Sequence, residues 1–379
     1  MTALAKHGMQ TGKHQTGEQQ TGTHGAGDPQ TLSGLMDRMV ALGASDLHLS
    51  SGAHPSIRLH GRIQRIREAQ PIPLDWIARE VARLDGSFDA AEFERLKAVD
   101  FSATHGRHRF RINVFRHRGG DAMVVRHLGA DFSSIEALNL PSEVQQFAAY
   151  QSGLILICGA TGSGKSTTLA SIINSINQNS CQHILTIEDP VEYLHTDQGC
   201  LVRQRELNAD AYDFASALRS GLREDPDVIL VGEMRDVETM RAALTAAETG
   251  HVVFSTLHTG DVVGAVRRLV GAFPAIEQDS VRLRVSQSLR AVMAQHLLPN
   301  AAADGRVPAV ELMFVTTAVR HLIAANKFDQ LYSAVETGRN EGMRTLEQSL
   351  ALMVRDRMIR PDVAQAHCHD IDALTRLMQ

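Results

Sequence analysis

The sequence predicts an α/β fold, a parallel sheet with helices on its faces over residues 143–379, preceded by a smaller α+β module over 31–135. Three observations carry this. Short apolar runs at 154–158, 184–187, 228–231 and 251–255 recur between stretches of helical spacing. The earlier part shows alternating segments instead, the pattern of a half-buried sheet. One apolar run, Leu154-Ile155-Leu156-Ile157-Cys158, passes through a glycine-rich loop into a helix start, as a βα junction does.

The elements follow in order. Residues 1–30 are rich in Gly, Thr, Gln and His, with Gln-Thr-Gly at 10–12, 15–17 and 20–22. They bury little apolar surface and are expected to be a disordered tail. Leu32, Leu35, Met36, Met39 and Val40 stand at helical spacing, and Gly43 sits where a C-terminal cap belongs. Segments 46–50 and 57–66 read as strands, and helices are expected around 75–84 and 88–97. Phe110, Ile112 and Val114 alternate with Arg109, Arg111 and Asn113. Gly119-Gly120-Asp121 then offers a hairpin turn into a strand over 122–128. Residues 136–142, with Pro141, read as the linker. From 278 to 379 the chain reads as mainly helical.

Composition narrows the function classes. A length of 379 residues suits two or three domains. A net charge of −5 and 4% aromatic content argue against nucleic acid as a partner. No apolar run approaches the roughly 20 residues of a membrane span. Cys158, Cys181, Cys200 and Cys368 form no CxxC pair, against a zinc ribbon or a disulfide framework. A cytoplasmic protein is the expectation.

The chemistry concentrates after residue 158. Gly159-Ala160-Thr161-Gly162-Ser163-Gly164-Lys165-Ser166 fits GxxxxGK[ST], and Thr167 continues into the helix. Glycines let backbone N–H groups face phosphates, and a helix N-terminus adds a positive dipole end. Lys165 supplies a point charge for the β- and γ-phosphates of ATP, and the Ser166 hydroxyl a ligand for Mg²⁺. Two acids end predicted strands, Glu188 after 184–187 and Glu233 after 228–231. Strand C-termini line the ligand crevice of an open α/β sheet, so both would face the nucleotide. Gly232 stands where an Asp is usual, which shifts weight to Glu188. A strand-end turn acid at Glu188 and a salt bridge from Glu233 to Arg235 are the structural alternatives. His251 and His258 bracket the next strand; His258 could sense the γ-phosphate, and no third ligand has zinc spacing. Between 107 and 126 lie Arg107, Arg109, Arg111, Arg116, Arg118 and Arg126, without Lys. A solvated sheet face, nucleic-acid binding and arginine fingers reaching a nucleotide are all open from this segment alone.

Together these motifs resemble the secretion ATPases of type II/IV secretion and type IV pili, most closely their pilus-retraction branch. The likeness runs from Gly43 to about Gln379. It rests on Gly43-Ala44-Ser45-Asp46-Leu47-His48-Leu49-Ser50 with Pro55, Arg58 and Gly61, and on Arg109-Phe110-Arg111-Ile112-Asn113. It rests further on the glycine loop, on Thr186-Ile187-Glu188-Asp189-Pro190-Val191-Glu192, and on the run from Leu222 to Asp236. His251 to Thr259 completes it. The resemblance implies a PAS-like N-terminal domain, a RecA-like ATPase domain and a homohexameric ring. It implies Glu188 as catalytic base and Glu233 as support for Mg²⁺ and water. Arg109, Arg111 and Arg126 would reach the nucleotide, and His251 and His258 would belong to its phosphate-sensing box. Hydrolysis would drive pilin disassembly and twitching motility from the cytoplasmic side of the inner membrane, through a membrane platform protein and with a paralogous retraction ATPase as a further partner. No tetracysteine insert follows His258, which favours retraction over assembly. Ala318-Val319-Arg320-His321-Leu322-Ile323-Ala324-Ala325 keeps the first half of the branch's C-terminal motif, but Ala-Ala replaces its Arg-Glu. An accessory retraction ATPase and an assembly or secretion ATPase are therefore the alternatives.

Overall fold

The computed structural model describes residues 31–379 apart from 60–61, 85–87, 89, 107 and 129–131. The expected tail over 1–30, Gly61 and Arg107 lie outside the described residues.

The chain begins with helix α1 (Leu32–Ala41), whose N-terminus is capped by the Thr31 hydroxyl accepting from Gly34 N–H. Gly43, at φ +66°, follows its end. Strands β1 (Asp46–Ser50), β2 (Ser56–Leu59) and β3 (Arg62–Arg65) come next, so the predicted strand over 57–66 is a hairpin. Helices α2 (Trp76–Val81) and α3 (Ala90–Leu96) precede β4 (Ala98–His105), β5 (His108–His117) and β6 (Gly120–Leu128). The sheet is antiparallel in order β3-β2-β1-β6-β5-β4. One face, with Leu47, Phe110, Ile112 and Val125, is buried with Leu35, Met36, Met39 and Ile77. The opposite face is polar. Arg111 pairs in register with Ser102 on one side and Arg126 on the other, and Arg126 with Asp46.

A short 3₁₀ helix (Ser142–Ala149) leads into the second sheet. Its strands are β7 (Gly153–Cys158), β8 (His183–Glu188), β9 (Leu201–Glu206), β10 (Val228–Val231), β11 (Val252–Leu257), β12 (Leu289–Pro299) and β13 (Arg306–Phe314). Their order is β13-β12-β7-β11-β10-β8-β9. Every neighbouring pair is parallel except β12–β13. Helices α4 (Lys165–Asn179), α5 (Phe214–Gly221), α6 (Val237–Glu248), α7 (Val262–Gly271) and α8 (Gln278–Ser288) interleave with them. Strands β7, β10 and β11 are buried along their whole length, which is why they read as unbroken apolar runs.

Beside the helices expected over 278–379, the chain there forms two strands that were not expected, β12 and β13. Leu289–Pro299 is rich in Leu, Ala, Met and Gln, which favour helix in isolation. It is a strand because β7 and β13 flank it and bury it from both sides. Five helices follow: α9 (Thr317–Ala324), α10 (Leu331–Thr337), α11 (Leu346–Arg355), α12 (Pro361–His367) and α13 (Ile371–Met378).

Candidate nucleotide site

The glycine loop stands at the C-terminal edge of the parallel sheet, between β7 and α4. Two of its glycines are dictated by a neighbour on β12. At Gly159 (φ +144°) a Cβ would lie 2.5 Å from the Gln295 carbonyl oxygen, and at Gly164 (φ +90°) 2.7 Å from the Gln295 amide nitrogen. Gln295 is buried and clamps the loop: its Nε2 donates to Ser163 O at 2.8 Å, and its Oε1 accepts from the Thr168 hydroxyl at 2.8 Å. Lys165 is buried too, and its Nζ donates to the carbonyls of Gly159 and Ala160, each at 2.9 Å. Burial lowers its pKa, against the opposing pull of the nearby Glu233 and Glu192 carboxylates. Thr167 shares a hydrogen bond of 2.9 Å with the Tyr193 hydroxyl.

The loop suits a polyphosphate. No side chain caps the N-terminus of α4, so its leading N–H groups are available to an anion. The Ser163 hydroxyl is buried without a hydrogen-bond partner, a further donor beside Gly159. The exposed Ser166 hydroxyl and the Glu233 carboxylate are hard oxygen donors of the kind Mg²⁺ takes.

Glu188 and Glu233 end adjacent strands on the same edge as the loop. Glu188 is only partly exposed, and burial pushes its carboxyl up to about 7. Hydrogen bonds from Thr186 Oγ1 (2.7 Å) and Gln204 Nε2 (3.2 Å) to Glu188 Oε1 oppose that shift. Gly232 packs against it: a Cβ there would lie 3.4 Å from Glu188 Cα. An aspartate at 232 would therefore place a second carboxylate beside Glu188. Glu233 bonds Arg235 at 2.5 Å and His258 Nε2 at 3.3 Å. The alternative of a salt bridge to Arg235 is thus present, on a side chain that also reaches His258.

His251 parts from this group within the chain. It precedes β11, at the edge opposite the loop, and its Nδ1 bonds Ala246 O at 2.9 Å. A six-residue strand separates it from His258, so the pair cannot act on one phosphate in a single protomer. Arg109, Arg111 and Arg126 each have an acidic partner in their own chain. Arg109 donates to Glu206 Oε2 at 2.6 Å and to Ser102; Arg111 pairs with Asp100; Arg126 pairs with Asp46 at 2.8 Å. Glu206 is buried and also accepts from Val191 N–H at 3.0 Å. It therefore joins the N-terminal sheet to the loop after Glu188. Sequence reasoning missed Gln295, Tyr193, Gln204 and Glu206. Gln204 and Glu206 carry one signal, their alternation with charged residues on β9; Gln295 carries none, because only the sheet order brings β12 beside the loop.

A glycine loop on a helix N-terminus, its lysine, and strand-end glutamates on the same sheet edge define a P-loop ATPase. The model of the family described as type II/IV secretion system protein matches residues 30–367, and the chain belongs to that family of secretion ATPases. The type IV pilus retraction ATPase PilT of Pseudomonas aeruginosa is 44% identical over 324 residues, 85% of this chain and 94% of that one. The type IV pilus ATPase PilU of the same organism is 35% identical, covering 91% of this chain and 90% of its own. A crystal structure of the pilus retraction motor PilT with bound ADP superposes with a TM-score of 0.85 at 41% identity, covering 91% of this chain and 99% of that one. Among the described residues no helix is long and apolar enough to cross a membrane.

Proposed function

We propose that this ATPase powers type IV pilus retraction as a homohexameric ring, in which hydrolysis moves a PAS-like N-terminal domain against a RecA-like domain. The observation that carries this reading is the bonded chain from Arg109 through Glu206 to Val191 N–H. It links the N-terminal sheet to the segment that carries Glu188, so domain position and acid placement move together. The 44% identity to PilT, against 35% to PilU, supports the main retraction motor. The Ala324-Ala325 departure favours, as a second reading, an accessory retraction ATPase acting beside a paralogue. The ring would work at the cytoplasmic face of the inner membrane, on a platform protein there.

In the proposed mechanism, backbone N–H groups of 159–167 hold the phosphates of ATP and Lys165 neutralises the β/γ oxygens. Ser166 and Glu233 would hold Mg²⁺, which supplies charge neutralisation on the same oxygens. Glu188 accepts the proton of the attacking water. Arg109, Arg111 and Arg126 exchange their intrachain acids for the nucleotide of a neighbouring protomer.

Glu188 accepts a proton only when ionised, and its pKa stands near 7. The kcat/KM for ATP hydrolysis is therefore expected to fall as pH drops through about 7, tenfold per unit below it, since this parameter reports the free enzyme. A steady-state profile from pH 5.5 to 9 checks this; a flat profile removes Glu188 as the base. Deletion of the gene tests the retraction reading. Surface pili should accumulate while twitching is lost. Loss of pili assigns assembly instead, and partial twitching assigns the accessory role.

A further inference from the structure

We infer that Gln204 is the positioning residue of the Glu188 carboxylate, an inference that rests on the reading of Glu188 as the base. Gln204 lies on β9, directly across the parallel ladder from Thr186 of β8. Residues paired in register share a sheet face, so the two side chains stand together beneath the strand end that carries Glu188. Both donate to the same oxygen, Thr186 Oγ1 at 2.7 Å and Gln204 Nε2 at 3.2 Å from Glu188 Oε1. Among the described residues this leaves Oε2 clear of side-chain donors, on the carboxyl group that must take a proton.

The orientation of the Gln204 amide is determined by its other partners. Its Oε1 accepts from His195 N–H at 2.7 Å, and its Nε2 also donates to Tyr193 O at 2.9 Å. A backbone N–H can only donate and a carbonyl only accept, so the amide cannot flip without losing both bonds. The group presented to Glu188 is therefore always N–H. It fixes the carboxylate and favours its ionised form, while Glu192 acts both ways, its like charge disfavouring that form and its backbone N–H favouring it. Two residues along, Glu206 anchors the same strand to Arg109 and Val191. The donor thus stands on an element tied to both the acid loop and the N-terminal sheet.

The test is Gln204→Leu in the full-length protein, with kcat/KM for ATP measured from pH 5.5 to 9 and the affinity for a fluorescent ADP measured in parallel. Without the N–H donor, the acidic limb is expected to move up by about one pH unit, the scale of one hydrogen bond to a carboxylate. Turnover below the limb then falls about tenfold and recovers at high pH, with ADP affinity within about twofold of wild type, because the phosphate loop is untouched. A limb at the wild-type pH, or a loss that high pH does not restore while ADP binds normally, overturns the inference. If Gln204→Leu loses ADP affinity through misfolding, Gln204→Glu decides. It keeps the acceptor for His195 and replaces the donor by a like charge, so the limb must move up further, and an unmoved limb rejects the role. Glu188→Gln separates the two claims. Wild-type turnover in that variant removes the base assignment itself, whereas an inactive Glu188→Gln with an unmoved Gln204→Leu limb removes only the positioning role.

Discussion

Lys165→Ala is expected to lower ATP turnover by at least about 10²–10³-fold, the loss seen when one preorganised group that stabilises transition-state charge is removed. The lysine is the buried cation of the glycine loop, held by the carbonyls of Gly159 and Ala160. When ATP binds, its ammonium can turn from those carbonyls to the phosphates without leaving the loop. Alanine supplies no charge, and the loop glycines cannot replace it. Stability should change little, since the variant removes a cation whose ionised form is already disfavoured by burial. Phosphate release and fluorescent-nucleotide binding, with a thermal melt as control, check this. Wild-type hydrolysis would mean that the loop does not bind the triphosphate.

The catalytic half of the fold was legible because its central strands are buried on both faces. Val228-Ile229-Leu230-Val231 and Leu154-Ile155-Leu156-Ile157-Cys158 carry no polar interruption, and their burial matches. The edge was not legible. Strand β9, Leu201-Val202-Arg203-Gln204-Arg205-Glu206, is charged and half exposed, and the alternation of Gln204 and Glu206 with Arg203 and Arg205 is its one weak sign of a strand. Yet it carries both Gln204 and Glu206. The strand β4 was missed although its pattern carries the signal: Val99, Phe101 and Ala103, on the buried face, alternate with Asp100, Ser102 and Thr104. The site therefore divides by its source. Phosphate-binding residues lie in one continuous segment, where spacing reveals them. The groups that orient them come from β9 and β12, which only sheet order places alongside. His251 shows the converse error. The family resemblance put it in one phosphate-sensing box with His258, but the strand the two residues bracket holds them at opposite ends.

The second large effect is expected for Glu188→Gln: nucleotide binding retained and turnover at least about 100-fold slower, at the lower end of acid–base contributions. Glutamine keeps the size of the side chain and an oxygen that can still accept from Thr186 and Gln204. What it loses is the capacity to accept a proton from water. The structural alternative, a strand-end acid that merely closes a turn, gives a different result. In that case the neutral variant would hydrolyse normally and gain stability at neutral and higher pH. The sign follows from linkage. A carboxyl whose folded pKa is about 7 binds its proton more tightly folded than unfolded, so its contribution is favourable below the unfolded value near 4.5 and is lost as pH rises through 7. Removing the ionisable group relieves that penalty in either case. A melting temperature that rises at pH 8 together with a collapse in turnover therefore identifies a residue kept for chemistry at a cost in stability. Glu233→Gln is the necessary comparison. Its carboxylate already bonds Arg235 and His258, so its loss should weaken the placement of Mg²⁺ and of the attacking water rather than remove the base. If Glu233→Gln is the less active of the two, the proton acceptor is Glu233, and Glu188 serves the metal and the water instead.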